Sequence, residues 1–150
     1  MASQKHKLSA NMEDYLEVIA MLKDEKGVVR VKDISDRMNV KKPSVTAAMN
    51  SLASKGLIEH ERYGYIDLSV EGEKLAREVK ERHDMLTRFF MDILGVSENS
   101  AETDACKIEH SLSKETSEKL MHLVEYLEMH AGERPPQWLK NLNEYIGKNK

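Results

Sequence analysis

Apolar residues recur at every third or fourth position through most of this chain, which is the spacing of a helix with one buried face. The first apolar stripe runs from Met12 to Leu22, and either Ser9 or Asn11 can cap the helix that carries it. The same spacing predicts further helices over residues 31–38, 43–54, 70–94, 98–111 and 114–130, and a short final helix that holds Trp138 and Ile146. The pattern therefore predicts a mainly α protein.

The hydrophobic pattern changes after the third helix, where residues 57–60 and 65–68 are short and rich in β-prone side chains. Arg62, Tyr63 and Gly64 lie between them as a tight turn, so the two segments form a predicted β-hairpin. Three helices, a hairpin and then more helices are the order of a winged helix-turn-helix with a helical appendix. We therefore expect a DNA-binding domain over 1–70 and an α-helical domain over 71–150.

The third predicted helix has the side chains that a recognition helix needs at its N-terminal end, which enters the major groove of DNA. The candidate DNA-contacting residues there are Lys41, Lys42, Pro43, Ser44, Thr46, Ala47 and Asn50. Lysines neutralise phosphates, short side chains let the backbone approach the duplex, and an asparagine reaches base edges. The hairpin tip, Arg62 and Tyr63, is the predicted wing and is expected to touch the flanking DNA backbone.

The distribution of charge supports this interpretation more than the total does. The 150-residue chain has a net charge of −3, which does not by itself indicate nucleic-acid binding. Between Gly27 and Gly56, however, six basic residues stand against two acidic ones, a local net charge of +4. No apolar run is long enough to cross a membrane, and the N-terminal segment lacks an apolar signal core. We therefore expect a cytoplasmic protein with no membrane partner.

A second set of residues has the chemistry of a metal site. The candidate ligands are Asp14, Glu17, His83, Glu102, Cys106, Glu109 and His110. Asp14 and Glu17 are three residues apart and project from one face of the first helix, and Cys106 shares a helical face with the Glu-His pair that follows it. Thiolate, carboxylate and imidazole groups suit first-row divalent metals. Each carboxylate alone would be an ordinary solvated side chain, so the hypothesis depends on the combination.

Four segments together resemble a known family, the metal-dependent repressors of the diphtheria toxin repressor and manganese transport regulator type. The resemblance runs over about 11–129, and the segments that carry it are 12–17, 42–46, 82–83 and 104–113. It implies a homodimer formed through the helices after the hairpin, with a metal bound between that helical dimerisation domain and the first helix. The C-terminal barrel domain of longer iron-type members has no counterpart, so we expect a short form.

The resemblance also implies roles for single residues. The positions that match ligands of the manganese-type members are Glu17, His83, Glu109 and His110. Asp14 is also an aspartate in manganese-type members, whereas Cys106 is a cysteine in iron-type members, so this sequence mixes the two types. Glu102 stands where iron-type members carry a ligating histidine, and Thr87 replaces a glutamate that often serves an ancillary site. An ancillary site here would be built from His83 and Glu102.

Ligand hardness leaves the physiological ion open between Mn²⁺ and Fe²⁺, because carboxylates favour Mn²⁺ and a thiolate favours Fe²⁺ or softer ions. Binding of Zn²⁺ or Co²⁺ in vitro is also expected. The expected function is a divalent-metal-dependent transcriptional regulator, a repressor of metal-uptake genes that binds palindromic operator DNA as a homodimer when metal-loaded. The alternative is a winged-helix regulator that senses an organic ligand without metal. We do not expect an enzyme or a small organic substrate, because no Gly-rich phosphate loop or partner base accompanies these ligands.

Overall fold

The computed structural model describes residues 8–60, 64–131 and 136–148. It divides the chain into two compact units, Met1–Lys80 and Glu81–Lys150. The elements, in chain order, are α1 (Ala10–Lys26), α2 (Val31–Met38), α3 (Lys42–Ser54), β1 (Ile58–His60), β2 (Ile66–Leu68), α4 (Val70–Arg88), a π-helical turn (Phe89–Ile93), α5 (Glu98–Ile108), α6 (Lys114–Ala131) and α7 (Gln137–Lys148). The mainly α prediction is confirmed.

Helix α1 builds much of the core of the first unit. Ser9, not Asn11, is its N-cap, and the Ser9 hydroxyl accepts a hydrogen bond from the Met12 backbone N–H at 3.4 Å. The helix ends at Gly27, which has a φ of 77° and donates its N–H to the Lys23 carbonyl at 2.8 Å. Its buried side chains are Tyr15, Leu16, Ile19 and Leu22.

The helix-turn-helix follows the prediction closely. Helix α2 has the predicted bounds, and Asn39 ends it in the left-handed conformation at φ 53°. The Ser35 hydroxyl donates to the Val40 carbonyl at 2.6 Å and closes the turn. Helix α3 begins at Lys42, one residue before the predicted start, with Pro43 in its first turn.

The predicted hairpin is present, and it has a third member that the sequence did not indicate. Strands β1 and β2 are antiparallel, with Ile58 opposite Leu68. Val29, which lies before α2, forms an isolated bridge to Ile66 and accepts the Ile66 N–H at 2.9 Å. The predicted wing residues Arg62 and Tyr63 lie outside the described part of the chain.

The end of the predicted fourth helix differs from the expectation. The α-helical part stops at Arg88, and the segment to Ile93 forms a π-helical turn. There the Leu94 N–H donates to the Phe89 carbonyl at 3.2 Å, five residues back. Phe89, Phe90, Ile93 and Leu94 all pack into the core of the second unit. Because a π-helix has more residues per turn, these four side chains share a narrower face than they would on an α-helix. The apolar periodicity alone does not predict this π-helical turn.

Helix α5 also ends before its predicted limit of residue 111. It stops at Ile108, Glu109 is its C-cap, and the Ser111 N–H turns back to the Ile108 carbonyl at 2.8 Å. The chain must leave α5 here because Ser113 already caps α6, accepting the Thr116 N–H at 3.2 Å. Glu109 and His110 therefore lie at the helix end and in the turn, not within a helix.

Helix α7 is the least buried element of the second unit. None of its residues is buried, although Leu139 and Leu142 pack partly against the core of that unit. Its Trp138 and Tyr145 side chains are exposed. Among the described residues, no helix is long and apolar enough to span a bilayer.

Candidate metal centre and nucleic-acid interface

Glu109 is the centre of a cluster of imidazole and carboxylate groups in the second unit. Its side chain is buried, with 1% of the residue exposed. One carboxylate oxygen, Oε2, lies 2.9 Å from Nδ1 of His83, and the other, Oε1, lies 3.2 Å from Nε2 of His110. Helix α4 positions His83, and the end of α5 positions Glu109 and His110. A carboxylate closed off from water is strongly disfavoured without such partners.

Glu102 extends this cluster along α5. Its Oε2 lies 2.8 Å from Nε2 of His83, so both ring nitrogens of His83 face carboxylate oxygens. Burial by itself lowers the pKa of His83, but the hydrogen bond to Glu102 and the negative charge of Glu109 outweigh it, so that the pKa is raised. In the absence of a metal ion, the two carboxylates therefore favour protonation of His83 more than water does around a free imidazole.

Cys106 lies in a different environment from Glu109. It is in the last turn of α5, two residues before Ile108, and it is exposed. The role of Cys106 as a metal ligand stays a prediction.

Asp14 and Glu17 are on α1, in the first unit. Both are half-buried, and Tyr15 and Leu16 between them are buried in the core of that unit. Any displacement of these two carboxylates would therefore move a helix that helps to hold the first unit together. Their role as ligands also stays a prediction.

The N-terminal part of α3 separates an apolar face from a polar one. The predicted DNA-contacting residues of this helix and its N-cap are all exposed: Lys41, Lys42, Pro43, Ser44, Thr46, Ala47 and Asn50. The other face buries Val45, Ala48, Met49 and Leu52 in the first unit. No acidic residue lies in the first turn of α3, so the positive end of the helix and the two lysines favour an anion there.

Two features of potential function were missed by the sequence analysis. The Arg30 guanidinium lies 4.8 Å from the centroid of the Tyr65 ring, and its Nη2 donates to the Tyr65 hydroxyl at 2.8 Å. Thr87 is buried, and its hydroxyl has no hydrogen-bond partner among the described residues. Only a fold brings Arg30 and Tyr65 together, since they are 35 positions apart.

Two family models match the chain in succession. The first describes the N-terminal DNA-binding domain of iron-dependent repressors and matches residues 7–66. The second describes the metal-binding and dimerisation domain of iron-dependent repressors and matches residues 69–136. The chain belongs to the iron-dependent repressor family. This family consists of DNA-binding transcriptional regulators, and the resemblance inferred from the sequence is confirmed.

Solved structures give the same result. The manganese regulator SloR is 25% identical, with a TM-score of 0.70 over 79% of this chain and 55% of its own. ScaR with bound Zn²⁺ is 28% identical, with a TM-score of 0.68 over 77% of this chain and 54% of its own. IdeR of T. acidophilum is 27% identical, with a TM-score of 0.67 over 75% of this chain and 53% of its own. The chain spans little more than half the length of these relatives.

These comparisons confirm the fold class, with a DNA-binding domain followed by a dimerisation domain, and give no support to the alternative of an organic-ligand sensor. The predicted boundary after residue 70 and the individual site residues stay predictions.

Proposed function

We propose that this chain is a divalent-metal-dependent transcriptional repressor that binds palindromic operator DNA as a homodimer when Mn²⁺ or Fe²⁺ is bound. The observation that carries the proposal is the buried Glu109 carboxylate between two imidazoles, inside a region that belongs to a metal-binding and dimerisation domain. We assign residues 1–70 to DNA binding and 71–150 to metal binding and dimerisation. The protein acts on DNA in the cytoplasm and is a regulator, not an enzyme.

The donor chemistry fits a first-row divalent cation. His83, Glu109 and His110 offer two imidazoles and a carboxylate, and Asp14 and Glu17 add two hard oxygen donors. A bound ion would supply two positive charges to a cluster rich in carboxylates. Cys106 and Glu102 are further ligands in this proposal, Cys106 shifting the preference toward Fe²⁺ or softer ions. The relatives agree with this range, since SloR is described as a manganese regulator and ScaR has been solved with Zn²⁺ and with Cd²⁺.

The switch that we propose depends on α1. Asp14 and Glu17 lie on this helix, and its buried residues Leu16 and Ile19 belong to the same core as α2, α3 and the hairpin. In the metal-free protein, Asp14, Glu17 and Glu109 repel one another if they approach. By holding one cation in common, these residues would tie α1 to the second unit, and the DNA-binding unit would move with α1 because they share one core.

Ordering two recognition helices in advance lowers the conformational cost of binding a two-fold symmetric operator. The exposed face of α3 supplies the groove contacts, and a dimer would place its two copies on half-sites about 34–36 Å apart. A coupling free energy of about 1–3 kcal/mol between metal and DNA binding is typical of such switches.

The test is an operator gel shift over a titration of Mn²⁺, Fe²⁺, Co²⁺ or Zn²⁺. Wild type is expected to bind DNA only with metal. Replacing Glu109→Ala together with His110→Ala is expected to abolish the metal response. A matched control is Glu71→Ala with Glu98→Ala, two exposed carboxylates of α4 and α5 that should leave the response unchanged. Metal-independent binding at wild-type strength by the Glu109 and His110 variant would refute the proposal.

A further inference from the structure

Arg30 is an exposed arginine that the fold holds in one orientation. Its guanidinium stacks on the Tyr65 ring at 4.8 Å and donates to the Tyr65 hydroxyl at 2.8 Å. We propose that Arg30 contacts a DNA phosphate beside the wing and that Tyr65 is the positioning residue that aims it. This inference rests on the proposed DNA-binding function and extends the interface beyond the recognition helix.

The location of Arg30 supports a backbone contact. Arg30 follows Val29, whose carbonyl accepts the N–H of Ile66, the first residue of β2. Tyr65 directly precedes Ile66, which is paired with His60 at the loop end of the two strands, so the stacked pair lies beside the wing, close to the start of α2. When a recognition helix enters the major groove, a wing lies against the flanking sugar-phosphate backbone. A cation beside the wing is therefore within the path of that backbone.

The charge of Arg30 is only weakly engaged within the protein, and so it is available for this contact: the pKa of Asp33 is lowered chiefly by the hydrogen bond from Lys26, and the charge of Arg30 is the smallest of the causes that lower it. Asp33, the acidic residue nearest in sequence, accepts the Arg30 backbone N–H at 3.0 Å, and Lys26 donates to the same carboxyl group at 2.6 Å. Among the described residues, the Arg30 guanidinium forms no ion pair, and one of its five N–H groups is used by Tyr65. Arg37, in contrast, directs two guanidinium nitrogens to the Glu25 carboxylate.

The Tyr65 contact also has a physical consequence for binding. A guanidinium presents its donors in a rigid fork that suits phosphate, and a side chain already held in place loses less freedom when it binds. The hydroxyl of Tyr65 satisfies one edge of the fork and leaves the remaining donors for a phosphate. Removing Tyr65 should therefore weaken DNA binding only through Arg30.

The experiment measures binding of fluorescently labelled, mixed-sequence duplex DNA over a range of salt concentrations, with and without Mn²⁺. Mixed-sequence DNA is the right probe because its binding depends on phosphate contacts. Arg30→Gln is expected to weaken binding about tenfold and to reduce the salt slope by about one unit. Tyr65→Leu should weaken binding about threefold, and it should add nothing in the Arg30→Gln background.

The control is Arg37→Gln, which removes the same charge from a residue already paired with Glu25 and should leave the slope within error. Thermal unfolding of each variant shows whether the fold is kept. If Arg30→Gln does not fold, Arg30→Lys replaces it. Because lysine keeps the charge but lacks the planar fork, Arg30→Lys should then weaken DNA binding while leaving the salt slope unchanged. An unchanged slope in the Arg30→Gln variant, or a Tyr65→Leu effect that persists without Arg30, overturns the inference. Metal-independent binding by wild type would count against the proposed switch alone, since the slope comparison needs no metal response.

Discussion

The two units differ in how many of their apolar side chains are buried. Among the residues that the structure describes, the first has fifteen buried apolar residues in one core cluster, whereas the second has five, although the units comprise similar lengths of chain. Six of the exposed large hydrophobic residues lie in the second unit: Ile108, Leu123, Tyr126, Met129, Trp138 and Tyr145. The first unit can be stable through its own interior, but the second exposes apolar surface that a partner would cover.

The buried polar residues show the same difference. Among the described residues, all three of them lie in the second unit: Thr87, Glu109 and Ser117. Burying a carboxylate lowers stability unless it is paired or coordinates a metal. The first unit therefore buries apolar side chains almost exclusively, whereas the second has buried polar groups that the proposed ion would neutralise and an apolar surface that the proposed second chain would cover.

The largest expected effect is on the core of the first unit. Leu16→Ala should lower the free energy of unfolding by about 3 kcal/mol, because Leu16 is fully buried and its loss leaves a cavity. Urea denaturation of metal-free protein measures this. Leu123→Ala, at a residue 45% exposed in the second unit, is the matched control and should lose less than about 1 kcal/mol. Equal losses at the two leucines would contradict the contrast between the cores.

Metal should stabilise the second unit by nearly as much. An ion that binds only the folded protein adds about 2.7 kcal/mol at a concentration of about one hundred times its Kd. Thermal unfolding with Mn²⁺ and then with a chelator measures this, and Glu109→Ala with His110→Ala should remove the gain. A gain of the same size in that variant would place the ion elsewhere.

Dimerisation should be weakened by charge on the exposed apolar face of α6. Tyr126→Glu with Met129→Glu is expected to raise the dissociation constant of the dimer at least tenfold, or about 1.4 kcal/mol, because two charges would be buried in the interface. Sedimentation velocity measures the change. Val70→Glu, at a residue 86% exposed in the first unit, is the control. If both variants dissociate equally, the effect is not specific to the second unit.

The smallest effect is on pH dependence. The pKa of His83 is raised in the folded protein, so its stabilising contribution is complete below its unfolded value of about 6.5 and is lost as the pH rises through the folded pKa. Metal-free protein should therefore lose stability as the pH rises across this window. Denaturation at several pH values tests it against His83→Gln, which should flatten this part of the profile. Metal affinity should change in the opposite direction, because His83 must release its proton to bind an ion.

Local signals predicted the helix-turn-helix well. Pro43 and the left-handed Asn39 mark the limits of α3 and α2 through their own backbone preferences, so each boundary could be inferred from nearby residues. The π-helical turn follows from packing within the second unit, which periodicity does not register. The early end of α5 follows from Ser113, which caps α6, a signal that the periodicity of α5 does not contain.

The sequence predicted which residues are candidates for the site, but not which of them contact one another. Their spacing from Cys106 pointed to Glu109 and His110, although both lie beyond the last residue of α5. The bridge from His83 to two carboxylates joins residues 26 and 19 positions apart and needs the fold. The contact between Arg30 and Tyr65 was missed for the same reason. Sequence separations of this size leave no local pattern.

The sealed carboxylate of Glu109 has a consequence for attempts to make this protein more robust. Buried ion pairs can often be replaced by hydrophobic side chains of similar volume with a gain in stability. Changing His83 and Glu109 to apolar residues should therefore raise the free energy of unfolding and abolish the proposed response to a metal ion. Screens that select for heat resistance alone would favour such unresponsive variants, because the buried polar groups needed for the proposed metal response lower the stability of the fold.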